Sequence, residues 1–337
     1  MFIIITHIME TVLSGIRSTG HLHLGNYYGA LKNFVRIQDT YKCFFFVADI
    51  HSLTTHPHPL DFHEGVKIIL SEYLAAGLDP EKSAIYVQSD VPEICELFTL
   101  LNMISYVGEL ERTVSFKDKV RQQKNNVNAG LLTYPVLMAS DILAHRATKV
   151  PVGKDQDQHL EIARTIARRF NTLYGQEVFP EPTNMDFGSG AIKVPGLDGN
   201  GKMGKSEGNG IYLCDDEKTI TKKVMKAVTD TGPTTPNSEM PESVGNLFQI
   251  LSIVSDKSTV DFFKEKYNDC SIRYGDLKKQ LAQDICKQTL PIKARIDDIY
   301  RNEEYLRKVV KQGAEKARES AAATLALARK AIGFKAF

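Results

Sequence analysis

The sequence has 337 residues, which is enough for two domains, and its 42% apolar and 25% charged residues are typical of a soluble globular protein. A net charge of +1 excludes a general attraction to nucleic acid, so RNA binding would have to come from local patches. No apolar run reaches the roughly 18 residues of a membrane span, and the short apolar opening, residues 1–9, is interpreted as a non-secretory extension. The five cysteines are far apart, which argues against a zinc or iron–sulfur site and favours reduced thiols in the cytoplasm.

The first half of the chain alternates between strand and helix patterns. Strands are predicted at 12–13, 43–48, 84–88 and 150–153, and helices from about 25 and at 60–77, 93–105, 109–124 and 155–170. This alternation predicts an α/β fold with a doubly wound parallel sheet, similar to a Rossmann fold. Ligands bind such folds at the carboxyl ends of the strands, which here are followed by residues 17–26, 49–51 and 153–156.

The pattern changes after about residue 207, where helical segments dominate and a Pro/Gly/Thr-rich loop interrupts them at 231–236. We therefore predict a catalytic domain at 1–210 and a helical domain at 211–337. Nine Lys/Arg against four Glu between 301 and 337 are consistent either with an RNA-binding surface or with a solvated helix face.

Two glycine-rich stretches are candidate phosphate sites. In the first, residues 14–30, a strand leads through a tight turn into a helix whose start carries His23 and Asn26, so that backbone N–H groups and the helix dipole favour an anion. In the second, residues 201–210, Lys202 and Lys205 lie three apart in a turn-prone loop and can converge on one anionic group.

These two stretches resemble the HIGH and KMSKS motifs of class I aminoacyl-tRNA synthetases, in the forms His-x-Gly-Asn and, at 202–206, KMGKS. The segment 153–171 closely resembles the Gly-x-Asp-Gln-x-Gln-His segment of the bacterial-type tryptophanyl-tRNA synthetases. The resemblance extends from Val12 to the C-terminal helices. It implies ATP-dependent activation of L-tryptophan to tryptophanyl-adenylate, and transfer of tryptophan to the 3′ end of tRNA(Trp). It also implies that the helical domain binds the tRNA anticodon while the catalytic domain carries out the reaction.

The resemblance implies catalytic roles for His23, Asn26, Lys202, Lys205 and Ser206. It implies ATP contacts at Arg17, Ser18, Thr19, Gly25, Asn26, Gly153, Lys154, Asp155, Val194, Lys202, Met203, Gly204, Lys205 and Ser206. Mg²⁺ is expected with the nucleotide, without a visible ligand set. Three of these positions depart from the family: Gly204 replaces a serine, Lys154 replaces an acid, and Arg17 replaces a glutamine and could meet an anion or form a structural ion pair.

A third segment, Tyr134–Ile142, places positions 134, 138 and 141 on one helical face. From the residues alone, Asp141 could equally cap a helix or pair with a base such as Arg146, because a buried carboxylate needs a partner. The resemblance implies instead that Asp141 accepts the indole N–H of tryptophan. The full predicted set of tryptophan-binding residues is Leu13, His51, Tyr134, Met138, Asp141 and Gln156. The spacing of histidines 51, 56, 58 and 63 does not suit a metal, and no metal site is predicted.

The mixed-charge helix at 109–124 is most simply a solvated face, but the resemblance places it near a homodimer interface and the tRNA acceptor end, with Arg112 and Lys117 as tRNA contacts. The predicted partners are therefore tRNA(Trp), L-tryptophan and a second copy of the chain, with no DNA and no membrane. The alternatives are a tyrosyl-tRNA synthetase, a tRNA-independent nucleotidyltransferase of the same fold, and a non-catalytic RNA-binding paralogue.

Overall fold

The computed structural model describes residues 9–122, 125–153, 156–187, 192–199, 201–205 and 207–335. Three of the predicted site residues, Lys154, Asp155 and Ser206, lie outside these ranges. Among the helices that the model does describe, none is both long enough and apolar enough to cross a membrane.

The molecule is organised around a parallel sheet of five strands in the order β3-β2-β1-β4-β5. The strands are β1 Thr11–Arg17, β2 Lys42–Ala48, β3 Ala84–Val87, β4 Lys149–Val150 and β5 Thr183–Asn184. After the exposed Lys42, all six remaining residues of β2 are buried, as expected for a strand covered on both faces. The predicted α/β fold is confirmed. The sequence did not predict β5, because two exposed residues carry no hydrophobic pattern.

Helices cover both faces of the sheet and dominate the C-terminal region. They are α1 Leu24–Asn26, α2 Lys32–Ile37, α3 Asp49–Ser52, α4 Pro59–Ala75, α5 Pro92–Asn102, α6 Val107–Glu111, α7 Val114–Gln122, α8 Ala129–Ala144, α9 Asp157–Tyr174, α10 Glu217–Met225, α11 Glu242–Val254, α12 Lys257–Asn268, α13 Tyr274–Arg301 and α14 Glu303–Ile332. A π-helical turn, Tyr27–Leu31, joins α1 to α2 without a break.

One predicted helix, 109–124, is wrong in its extent. The structure divides this region into α6 and α7, and the break falls at Thr113, whose Oγ1 accepts a hydrogen bond from the backbone N–H of Phe116 (3.3 Å). A threonine hydroxyl that caps a new helix competes with the continuation of the old one.

The order of the strands determines where a ligand can bind. The chain runs from β1 outward through β2 to β3 and then returns to place β4 on the other side of β1. The connections after β1 and after β4 therefore leave the sheet in opposite directions, and a crevice opens at the carboxyl ends of these strands.

The last helix, α14, packs along the edge strand β3. A Cβ built on Gly313 would lie 1.8 Å from the backbone oxygen of Ile85, so only glycine permits this approach. Three basic residues of the helix bind the first half of the chain: Lys316 donates to the Pro80 carbonyl (2.8 Å), Arg318 donates to the Asp90 carbonyl, and Arg329 pairs with Glu96. Part of the basic excess at 301–337 therefore holds the helix against the sheet, while the side chains of Arg301, Lys308, Lys311, Lys330 and Lys335 are exposed.

Candidate active site

The turn after β1 ends in a capped helix start. His23 is the N-cap residue: its Nδ1 accepts from the Asn26 N–H (3.3 Å), and Asn26 Oδ1 accepts from the His23 N–H (3.1 Å). Burial, and then the charges of Lys205 and Lys202, lower the pKa of His23 to about 4, so the ring is neutral at pH 7. Because Nδ1 is an acceptor, the ring proton is on Nε2, which remains a donor for a ligand.

The loop that carries Lys202 and Lys205, the lysine loop, lies over this turn. Lys205 Nζ donates to the carbonyls of Thr19 and Gly20, each at 2.8 Å. Burial lowers the pKa of Lys205 to about 8; Glu72 acts in the opposite direction, and Arg17 lowers the pKa further. The helix start and the loop are therefore in contact, as the two sequence motifs predict.

Packing beneath the loop fixes its position. Met203 is buried and donates from its N–H to the Val194 carbonyl (2.9 Å), and a Cβ on Gly25 would meet both Met203 and the His23 ring. The N–H of Gly204 donates to Asn209 Oδ1 (3.0 Å), so the backbone is anchored without the hydroxyl that the glycine lacks. Lys202 is exposed and only its charge acts on His23.

Arg17, at the end of β1, is a half-buried cation whose Nε and Nη2 atoms are buried and have no hydrogen-bond partner among the described residues. Its charge acts on Lys205 on one side and on Tyr134 and Lys119 on the other. A structural ion pair, one of the two interpretations of the sequence, is not observed within the described part of the chain. The arrangement favours an anionic ligand, since a buried guanidinium without a partner is costly.

A buried carboxylate lies on the same side of the sheet. Asp141 of α8 is 2% exposed, and its two oxygens accept from His51 Nε2 and from Gln88 Nε2, both at 2.8 Å. Burial raises the pKa of Asp141, and the hydrogen bonds from His51 and Gln88 lower it by a smaller amount. Arg146 is exposed and is not the partner of this carboxylate. His51 Nδ1 is buried without a partner in the described residues, so the network has room for a further polar group.

An aromatic ring lies beside His51, which binds this carboxylate. The centroid of the Tyr134 ring lies 4.5 Å from that of His51 and 5.6 Å from that of His159. Leu13 belongs to the buried apolar cluster against which Met138 packs. Gln156 Oε1 lies 2.7 Å from His159 Nδ1, which links the start of α9 to the same wall.

Other predicted residues fall at the rim. The Ser18 N–H and Oγ bind Ser52 Oγ (3.2 and 3.0 Å), which joins the turn to α3, and Thr19 is exposed. Gly153 is exposed, and its carbonyl accepts from the Gln156 N–H (2.8 Å). Arg112 and Lys117 are exposed at the end of α6 and in α7.

Sequence reasoning missed two residues of this site. Gln88 directly follows β3, and its position at a strand's carboxyl end was a usable signal. Lys119 lies with Nζ 3.6 Å from the centroid of the Tyr134 ring, and burial, with the charge of Arg17, lowers its pKa to about 8. No sequence signal distinguished Lys119, because the packing of α7 against α8 determines which face of α7 is covered.

Comparisons with known proteins agree with this geometry. A family model described as tRNA synthetases class I (W and Y) matches residues 9–288. A tryptophan–tRNA ligase of Porphyromonas gingivalis is 64% identical over 97% of this chain and 100% of its own length, and one of Clostridium tetani is 40% identical over 96% of each.

Among solved structures, a tryptophanyl-tRNA synthetase from Campylobacter jejuni complexed with ADP and tryptophan is 33% identical, with a TM-score of 0.86 over 96% of this chain and 100% of that one. A tyrosyl-tRNA synthetase from Archaeoglobus fulgidus, at 19% identity and a TM-score of 0.64, shares the fold over 86% of this chain and 91% of its own. The chain therefore belongs to the class I tRNA synthetases, and within them to the bacterial tryptophanyl-tRNA synthetases.

Proposed function

We propose that this chain activates L-tryptophan with ATP, forming tryptophanyl-adenylate and pyrophosphate, and then transfers tryptophan to the 3′ end of tRNA(Trp). The observation that carries the proposal is the position of Arg17. Two buried nitrogens of this cation have no partner in the described part of the chain, and the cation lies between a phosphate-type turn closed by Lys205 and the aromatic pocket around Asp141.

The nucleotide would bind at the turn. His23 donates from Nε2, Lys205 supplies charge, and the nitrogen of the Asn26 amide supplies a second neutral donor. Attack of the tryptophan carboxylate on the α-phosphorus forms a new P–O bond, breaks the bond to the leaving pyrophosphate and needs no protein nucleophile. Positioning and charge stabilisation therefore supply most of the acceleration.

Tryptophan would bind with its indole N–H directed at Asp141 and its ring against Tyr134, Met138 and Leu13. Such a pocket rejects phenylalanine, since a buried carboxylate deprived of a donor is destabilised; a discrimination on the order of 10⁴ is known for hydrogen-bonding pockets of this kind. Arg17 would lie at the junction, where it can hold the substrate carboxylate near the α-phosphate.

Mg²⁺ does not fit as a resident ion of the turn. The charges that lower the pKa of His23 are those of two lysines, and among the described residues neither His23 nor Asn26 has a carboxylate hydrogen-bond partner. Mg²⁺ prefers oxygen ligands, so we propose that it arrives on the ATP phosphates as part of the substrate.

The tRNA and a second subunit would use other surfaces. Four large apolar side chains within residues 103–114 are exposed, namely Met103, Tyr106, Val107 and Val114, and we propose them as part of a homodimer interface. Arg112 and Lys117 lie in or beside this stretch and would meet the acceptor end. We propose that the region after residue 210 reads the anticodon, and that the exposed cations of α14 contribute charge to this surface. We also propose that the enzyme works in the cytoplasm.

Pyrophosphate exchange into ATP, followed by charging of tRNA, tests the proposal. We expect exchange with tryptophan, and much less with tyrosine or without an amino acid. Lys205→Ala should reduce exchange strongly while tryptophan binding persists, and Lys193→Ala, which removes an exposed lysine near the same loop, is the matched control. Exchange that prefers tyrosine would assign a tyrosyl enzyme, and exchange that needs no amino acid would assign a nucleotidyltransferase.

A further inference from the structure

Three side chains that the proposed reaction does not use come together next to the phosphate turn. They are His21 in the turn, Glu72 in the last turn of α4, and Cys214 in the segment before α10. One ligand atom from each, the imidazole nitrogen, a carboxylate oxygen and the thiol sulfur, lies within 4.8 Å of the other two. His21 Nδ1 and Glu72 Oε1 are 2.8 Å apart.

The backbone holds these groups in place. Glu72 is fully buried, and its Oε2 accepts from the Leu22 N–H (2.8 Å), which leaves Oε1 toward His21. The segment with Cys214 is fixed by the Leu213 N–H, which donates to the Leu22 carbonyl (2.9 Å). The cluster is therefore a preorganised set of donors on three separate elements.

Hydrogen bonds link His21 to the other two side chains, and the cluster is open to solvent on one side. Hydrogen bonds to Cys214 and Glu72 raise the pKa of His21 to about 10, against the effect of burial. The side chain of His21 is 39% exposed, whereas that of Glu72 is not exposed at all, so solvent reaches the cluster from the histidine side.

We propose that His21 Nδ1, a Glu72 carboxylate oxygen and Cys214 Sγ bind Zn²⁺, with water as the fourth ligand on the exposed side. Nitrogen, oxygen and thiolate together are a donor set that suits Zn²⁺ and not Mg²⁺ or Ca²⁺. On binding, the proton between His21 and its acceptors and the proton of the thiol leave to water, and the ion takes their place.

The His21–Glu72 pair requires only a small movement. Ligand atoms about 2.0–2.1 Å from a tetrahedral zinc lie ~3.3 Å from each other, so the His21–Glu72 distance opens by about 0.5 Å. The ion would then cross-link the turn to α4 and to the segment before α10. No metal site is predicted from the sequence; the site proposed here takes a single cysteine and depends on the fold, so the spacing of the cysteines could not reveal it.

Metal binding to the full-length chain tests the proposal. The protein, stripped by a chelator, is dialysed against Zn²⁺ alone and titrated separately with Co²⁺. We expect one bound equivalent of Zn²⁺, and for Co²⁺ a thiolate-to-metal charge-transfer band. Cys214→Ser should remove that band and weaken Zn²⁺ binding by well over tenfold, since even indirect partners of a zinc site contribute about 10–100-fold.

Two other thiols provide the controls. Cys95→Ser and Cys270→Ser remove an exposed and a half-buried cysteine. Both variants should still bind one equivalent of Zn²⁺ and show the Co²⁺ charge-transfer band. The metal-free melting curve of Cys214→Ser shows whether this variant folds. If it does not fold, His21→Gln provides a second test. The proposal is overturned if the wild type binds less than one equivalent, or if the folded Cys214 or His21 variant binds as tightly as the wild type.

Discussion

At the scale of single residues, the carboxylate of Asp141 determines what the pocket accepts. Both of its oxygens already receive one hydrogen bond each, from His51 and Gln88, so a third donor completes a buried acceptor. Asp141→Asn keeps the volume but removes the charge and offers a single acceptor oxygen. Since hydrogen bonds to charged groups are worth roughly 1.5–3 kcal/mol, we expect kcat/KM for tryptophan to fall by at least about tenfold.

The control for this variant is Asp118→Asn, which removes an exposed carboxylate that pairs with Arg121 on the surface of α7. Pyrophosphate exchange at varied tryptophan measures both variants. Equal kcat/KM values for the two would remove Asp141 from substrate recognition.

A pH dependence follows from Lys205. Its pKa, lowered to about 8 chiefly by burial, means that the side chain is charged below pH 8 and loses its charge as the pH rises through that value. We expect kcat/KM for ATP to fall on the alkaline side of about pH 8. Lys205→Arg keeps a charge at every accessible pH, so the alkaline decline should disappear even if the rate is lower. An alkaline decline of the same midpoint in the arginine variant would assign it to another group.

The proximity of site residues could be predicted from the sequence where a local motif specifies it. His23, Asn26 and Lys205 are close together as the motifs require, because the capping of a helix start and the glycines of a loop are local properties. The partners of Asp141 and the charged neighbours of Arg17 could not be derived from spacing, since they lie on elements that only the fold brings together. For the same reason Lys119 had no signal.

At the scale of elements, the distance between α4 and the phosphate turn depends on one glycine. A Cβ on Gly65 would lie 2.1 Å from the Ser18 carbonyl oxygen, so the helix touches the turn through bare backbone. Gly65→Ala must push the two apart. We expect a loss of about 1–3 kcal/mol in the free energy of unfolding, as for other overpacked sites, together with a higher KM for ATP.

Gly245→Ala in α11 is the matched control, because a Cβ there meets nothing within 4 Å and alanine favours a helix by up to about 1 kcal/mol. Urea unfolding and exchange kinetics measure both variants. If Gly65→Ala is as stable and as active as the control, the contact does not position the turn.

Prediction of elements from the sequence followed the strength of the hydrophobic pattern. The buried strand β2 and the helix α9 were predicted close to their observed bounds because their patterns are long and regular. The two-residue strand β5 and the break at Thr113 were missed, since both depend on a few local hydrogen bonds and show no periodicity.

At the scale of the whole molecule, helix α14 joins the two halves of the chain. It lies against β3, and its basic residues divide between contacts to the sheet and exposure to solvent. The number of charges in the sequence does not show which basic residues contact the sheet and which face solvent. The basic surface of the C-terminal region is therefore smaller than the composition suggests.

The exposed apolar side chains at 103–114 give the last prediction, which concerns assembly. Met103 is 77% exposed at the end of α5, and Val107 is 58% exposed at the start of α6, an unfavourable arrangement unless another surface covers them. If these residues form the homodimer interface, Met103→Glu buries an unpaired charge between subunits. Charges without partners in an interface cost several kcal/mol, so we expect the dimer dissociation constant to rise by at least about a hundredfold.

Light scattering and sedimentation over a range of concentrations measure this change. Leu60→Glu replaces a side chain that is equally exposed, at 74%, but lies at the start of α4, and this variant should remain dimeric. Because a bulky exposed residue tolerates a charge when it faces only water, the contrast between the two variants separates an interface from a solvated surface. A Met103 variant as dimeric as the Leu60 variant would place the interface elsewhere, and a wild-type chain that is monomeric at every concentration would leave these four side chains without a subunit to cover them.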